Sequence, residues 1–344
     1  MIQISPQLST QLSKRIAALL LLLSLASSAT AEITASQMAI VINTQDADSR
    51  LIASYYQNKR GIPEANIIRV SMPPGKNSIT EKEFKIIYRQ IKKQTPDTVQ
   101  YYALTWSKPF KVACMSMTSA VTFGFDKAYC AKGCKPTQMS SYYNSDTALP
   151  NDELNIRPAM MLAGSSVKQV YAMIDRGVVS DGSKPEATAY LMDTSDKARN
   201  VRSRRYKIIN ELLAENINIE QVNSDVLKNK NDVMFYFTGL KQVQEIESNQ
   251  YLPGAIADHL TSSGGNLFGS MQMSILRWLE AGATASYGTV VEPCAFTQKF
   301  PNPGIVIERY TNGESLIEAY WKSVAWPGQG LFVGEPMATP YAMN

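Results

Sequence analysis

One histidine, His259, serves the whole chain of 344 residues. Acyl-transfer dyads, triads and most zinc hydrolase sites need an imidazole to move protons or hold metal, so each must run through His259 or be absent. Neither a GxGxxG nor a GxxxxGK pattern occurs, which removes the usual Gly-rich phosphate cradles. Long apolar runs are also missing. The longest, Ile16 to Ala26 with six leucines, is shorter than the roughly 20 residues that span a bilayer. Charge of one sign is scarce too. Removing residues 1–31 takes away Lys14 and Arg15 and no acid, which lowers the formal charge from +4 to +2. No basic stripe with interleaved aromatics is present, and Arg199, Arg202, Arg204 and Arg205 read as the solvated face of a helix, so nucleic acid is not an expected partner.

What the first 31 residues do contain is a secretory pattern: Lys14-Arg15, the apolar run, then Ala29-Thr30-Ala31 before Glu32. The expectation is a mature protein that starts at Glu32, lies in the periplasm or is secreted, and keeps no transmembrane anchor. In such a compartment the four cysteines, Cys114, Cys130, Cys134 and Cys294, pair by default. At least one disulfide is expected within Cys114, Cys130 and Cys134; Cys130-Ala-Lys-Gly-Cys134 can close a small loop, and Cys114 can take either partner. Three cysteines plus His259 lack the tight second-pair spacing of a zinc site, so neither a metal nor a cofactor is expected.

From residue 37 the hydrophobic period alternates. Met38 to Asn43, Ile67 to Val70, Val99 to Trp106, Met160 to Ala163, Ala187 to Met192, Val233 to Phe237 and Ala283 to Val291 read as strands. Helices are read up to Arg60, over Glu81 to Gln94, over Lys197 to Ala214 and over Ser270 to Ala281, with another begun by a Ser166/Gln169 capping box that turns Val167, Val170, Tyr171 and Ile174 inward. This rhythm predicts a doubly wound α/β fold, a mostly parallel sheet with helices on both faces. Residues 32–344 read as one such domain. Residues 107–157 break the rhythm, hold three of the cysteines and read as an irregular, disulfide-pinned excursion.

Ligands of such sheets sit outside the carboxyl ends of the strands. Those ends read Asn43 to Asp48, Trp106-Ser107-Lys108, Ser165-Ser166, Asp193 to Asp196, Thr238 to Lys241, Asp258-His259 and Glu292-Pro293-Cys294. Two constellations follow. His259 and Cys294, 35 residues apart, form a thiolate–imidazole pair if Gly254 to Asp258 is a strand beside Ala283 to Val291; otherwise Cys294 is a disulfide partner and His259 a structural residue. Asp193, Asp196, Asp258 and Glu292 can hold calcium or magnesium, act as acid and base, or line a cleft with Thr238 and Lys108, the competing role being a helix cap by Asp193, Ser195 or Asp196.

The ordered set Tyr55-Tyr56, Arg60, Ile62-Pro63, Asn66-Ile67, Ile174-Asp175-Arg176-Gly177, Pro253-Gly254-Ala255, Gly282 to Gly288 and Gly334-Glu335-Pro336 resembles, over the whole mature chain, an uncharacterised family of exported bacterial proteins with no established activity. More remotely, the C-terminal half is similar to gingipain-type cysteine peptidases of the caspase-like fold. The matching segments are Met234 to Gly239, Arg277 to Tyr287 and Gly334-Glu335-Pro336. In those peptidases the first strand ends in His-Gly and the next in the nucleophilic cysteine; this chain has Thr238-Gly239 and His259 there. The resemblance therefore implies a peptidase-type scaffold without its dyad. Two functions follow: an envelope binding or accessory protein that holds a peptide or saccharide, or an exported hydrolase with a relocated Cys294/His259 pair.

Overall fold

A computed structural model describes residues 33–131, 133–292 and 294–342; the secretory segment and its cleavage point lie outside the described residues. The architecture is α/β, with a ten-stranded, mostly parallel sheet covered by helices. The strands are β1 (Met38–Asn43), β2 (Ile67–Val70), β4 (Tyr101–Leu104), β7 (Ala159–Met161), β8 (Thr188–Asp193), β9 (Asn218–Asn223), β10 (Val233–Thr238), β11 (Tyr251–His259), β12 (Ala285–Thr289) and β13 (Gly330–Gly334). Their spatial order is β2-β1-β4-β7-β13-β12-β11-β10-β8-β9. A second, three-stranded sheet joins β3 (Ser78–Ile79), β5 (Lys111–Val112) and β6 (Met115–Ser116). Runs such as Val233–Thr238 are buried at every position, as strands covered on both faces must be.

Each crossover has a local cause. The helix α1 (Ala47–Arg60) starts at Asp46, whose carboxylate accepts the Asp48 N–H at 3.0 Å, and stops at left-handed Gly61. Thr80 and Glu83 form a capping box on α2 (Glu81–Gln94), which buries Phe84, Ile87 and Ile91. α1 returns the chain to β2 on one side of β1, and α2 returns it to β4 on the other. Successive right-handed crossovers with that reversal put the helices on opposite faces. A second reversal occurs at β8, between β9 and β10.

β13 is antiparallel to β12 over five residue pairs and meets β7 where Val333 faces Met161. α5 (Val167–Ser180) leaves the carboxyl end of β7, and near its own end Gly177 lies against Glu335 and Ser180 against Gly254. A 14-residue helix rises about 21 Å, so β11, which starts around Gly254, begins at the edge where β7 begins. Arg60, at the end of α1, meets Glu335 at that same edge. The carboxyl ends of β1, β4, β7, β8, β10, β11 and β12 therefore share the opposite edge.

Several expectations are corrected. Residues 107–157 leave the main sheet but are more regular than their sequence shows: they contain β5, β6, α3 (Met117–Phe123) and α4 (Pro150–Leu154), and α3 buries six consecutive residues from Met117 to Thr122. Lys197 to Ala214 is a 3₁₀ segment, Asn200–Arg205, followed by α6 (Tyr206–Leu213); Arg202 there is 4% exposed, so that stretch is not one solvated face. The helix expected from Ser270 covers only α7 (Leu276–Ala281). β9, β13, α8 (Pro303–Thr311) and α9 (Leu316–Lys322) were not evident from period.

Candidate functional site

A strand turns successive side chains to opposite faces, and this decides the chemistry at the end of β11. Asp258 faces Arg202, with an oxygen–nitrogen separation of 2.6 Å. His259 faces the other layer, where its Nδ1 accepts the Trp278 indole N–H at 2.9 Å and its Nε2 lies 3.0 Å from the Met273 carbonyl. An imidazole with one nitrogen accepting and the other facing a carbonyl is the neutral Nε2–H tautomer. Burial pushes its pKa down to about 4, partly offset by the Met273 carbonyl. Burial raises the Asp258 carboxyl, and the Arg202 guanidinium opposes that rise. Adjacent in sequence, Asp258 and His259 are separated by the sheet and form no carboxylate–imidazole pair.

The thiolate–imidazole pair is not formed either. β11 and β12 are neighbours as expected, but Cys294 is bonded to Cys134 and no described cysteine is free. The other disulfide, Cys114–Cys130, lies within the expected group, whereas the small Cys130/Cys134 loop is not closed. Glu292, expected as an acid or cleft residue, is buried beneath its own loop. One of its oxygens accepts the N–H groups of Cys294 and Ala295, and the other lies 3.3 Å from the Lys299 ammonium, both side chains fully buried. The carboxylate is a loop pin.

At the second reversal, between β8 and β10, the chain engages its own polar side chains, beside a crevice of about 380 Å³ lined by Lys197, Arg199, Thr261, Ser262, Glu292 and Cys294. Asp196 accepts the N–H groups of Ala198 and Arg199 and pairs with the Arg199 guanidinium at 2.8 Å, the capping role weighed for it. Asp193 takes the Asn200 amide. Thr194 donates to the Gly239 carbonyl at 2.9 Å, and Gly239 packs so closely on the Arg199 carbonyl that any Cβ there would overlap it. The Thr238 carbonyl accepts from Arg202 at 2.7 Å, while its hydroxyl is buried without a partner.

The first reversal is different. Between β1 and β4, at the point where the strand order turns back, a crevice of about 320 Å³ is lined by Asp46, Asp48, Trp106, Ser107, Lys108 and Phe268, with Ser165, Ser166 and Val170 from the β7 exit and the start of α5. This is where doubly wound folds place ligands. Lys108 stands over the Phe268 ring, its ammonium 4.3 Å from the centroid. Ser107 is exchanged with Gly164, hydroxyl to carbonyl at 2.9 Å, which ties the β4 and β7 exits together. Beneath them Asn43 joins the β1 and β2 exits by accepting the Gln45 and Met72 N–H groups. Of the cleft candidates read from the sequence only Lys108 lies here. Its neighbours Asp46, Asp48, Trp106 and Ser107 stand on strand ends that the sequence nominated, but Phe268 was missed. It arrives from the loop after β11, which swings back because Gly265 packs directly on the Gly288 backbone.

Comparison with protein-family models, curated proteins and solved structures found no match. Two disulfides fit an exported protein, and no helix among the described residues is long and apolar enough to cross a membrane.

Proposed function

We propose that the chain is an exported, non-catalytic binding or accessory protein of the cell envelope, built on a peptidase-like scaffold, whose ligand enters the crevice between β1 and β4. The observation that carries this reading is the state of the one histidine: both His259 nitrogens are engaged by Trp278 and Met273, and the residue is fully buried. A general base must come within hydrogen-bond reach of the proton it removes, and His259 has no free nitrogen for one. Cys294, the nucleophile of the competing hydrolase reading, is held in a disulfide. The crevice between β1 and β4 supplies what a binding protein needs: a cavity within the size range of small-ligand sites, apolar walls and a few polar groups.

The test uses mature, non-reduced protein. Iodoacetamide is expected to label no cysteine, and a library of unmodified peptides is expected to survive incubation intact. Labelling of Cys294, together with cleavage that both Cys294→Ala and His259→Ala abolish, would establish the hydrolase instead.

A further inference from the structure

The crevice between β1 and β4 holds opposite charges that do not neutralise each other. Among the described residues no carboxylate lies within ion-pair reach of Lys108, whose ammonium rests on Phe268, and Asp48 has no cationic partner. Asp46 uses one oxygen to cap α1 and has the other free. Two carboxylates on the α1 side and one ammonium on the β4 exit thus line one cavity, whose lining also includes Trp106, Val170 and Ile52. Elsewhere the chain pairs its charges readily, as in Arg60 with Asp181 and Glu335, or Arg309 with Asp146 and Glu314. At the Lys108 side the first turn of α5 adds donors: Ser166 accepts the Gln169 N–H, leaving the Val167 and Lys168 N–H groups without a partner among the described residues.

A cavity with separated, unpaired charges and an apolar strip between them is complementary to a ligand that carries both charges at its ends. We infer that the crevice takes a short zwitterionic peptide, about two residues long, with its ammonium toward Asp46 and Asp48 and its carboxylate toward Lys108. This rests on the reading of the crevice as the ligand site. Two extended residues span about 7 Å, and a cavity of about 320 Å³ sits at the small end of the range for ligand pockets. Neither terminus needs to be desolvated without a partner, which is what would otherwise make a charged ligand costly to bury.

The experiment titrates the mature protein with the dipeptide Ala-Leu, followed by calorimetry and by intrinsic tryptophan fluorescence, and repeats it with N-acetyl-Ala-Leu, with Ala-Leu amide and with the neutral disaccharide N,N′-diacetylchitobiose. Ala-Leu is expected to bind, and blocking either end is expected to weaken it by about tenfold or more. Lys108→Gln should weaken Ala-Leu by a similar factor while leaving the amide unchanged. Asp48→Asn should weaken Ala-Leu while leaving the N-acetyl form unchanged. Lys108→Arg should restore binding, which separates lost charge from a damaged fold. Equal binding of free and blocked dipeptides overturns the inference, as does no binding of Ala-Leu up to roughly 10 mM, a weaker affinity than small-ligand sites show. Binding of the disaccharide with loss in Ser165→Trp, a substitution that fills the crevice, overturns the zwitterion inference but keeps the binding-protein reading. Hydrolysis of Ala-Leu, seen by mass spectrometry, overturns the non-catalytic reading itself.

Discussion

At the β11 and β12 exits Asp258 meets Arg202, His259 meets Trp278 and Met273, Glu292 meets Lys299 and two backbone N–H groups, and Cys294 is bonded to Cys134. At the β1 and β4 exits, on the same edge of the same sheet, Asp48 and Lys108 have no such partners, and a crevice stands open between them. Both regions lie where an α/β sheet offers its loops for ligand binding. The difference is that one region uses its chemistry-bearing side chains to hold the chain together, and the other leaves them for something outside it. A list of acids, a histidine and a cysteine at strand ends is therefore not yet a site. What matters is whether the protein itself has already taken their hydrogen bonds and charges.

Substitutions should sort by region, with large stability effects at the β8 to β12 exits and almost none at the crevice. The largest is expected for the Cys134–Cys294 pair, which closes 160 residues. Replacing both by serine should cost up to about 5 kcal/mol, against roughly 3 kcal/mol for the Cys114–Cys130 pair and its 16 residues, since the cross-link restricts the unfolded chain more when the loop is longer. Denaturant melts of non-reduced protein check the order. Next comes Arg202→Met, which strands Asp258 inside the sheet as an uncompensated charge and should cost about 3 to 5 kcal/mol by the same measurement. His259→Ala should follow at on the order of 1 to 3 kcal/mol, because the Trp278 N–H and the Met273 carbonyl lose their partner. Lys108→Gln is expected to move stability by less than about 0.5 kcal/mol, as a partly exposed residue without an ion pair should. A fall of several kcal/mol there would place Lys108 with the structural group and erase the contrast.

A pH profile sharpens the same comparison. The folded pKa of His259 is lowered to about 4 from an unfolded value near 6.5, so between those values the unfolded state binds more protons. Stability from keeping the ring neutral is fully present above about pH 6.5 and is lost as the pH falls toward 4, by up to roughly 3 kcal/mol. Asp258, whose carboxyl is raised, titrates with the opposite sign, favouring the folded state at low pH. Comparison with His259→Gln, which cannot protonate, isolates the histidine part: the acid-side slope of the difference should run from about pH 6.5 to 4.

Much of the fold was legible in residues. Apolar runs such as Met38 to Asn43 and Val233 to Phe237, and the i, i+3, i+4, i+7 pattern of Phe84, Ile87, Tyr88 and Ile91, announce buried strands and an amphipathic helix directly. What escaped lacks period. Asn218–Asn223 is a polar strand at the end of the sheet, half covered, so its alternation is faint. α9 is buried all round and carries Glu318 and Lys322 in the core, so no polar face marks it as a helix. The site was half legible for a related reason: strand ends can be read from the chain, but Arg202 reaching Asp258 and Cys134 reaching Cys294 are long-range choices. Asp258 and Cys294 turn out to be engaged by partners far away in sequence, whereas Glu292 is held within its own loop.

The most direct test uses the fact that only one histidine exists. In nitrogen-15-labelled mature protein a single imidazole appears in the NMR spectrum, and its two nitrogen shifts report both tautomer and protonation. The expected result is a neutral Nε2–H ring that stays unprotonated down to about pH 5, with its midpoint near 4. A ring that titrates with a midpoint near 6.5, the value of an accessible imidazole, would contradict the claim that His259 is sealed at the β11 exit and would return it to the set of catalytic bases.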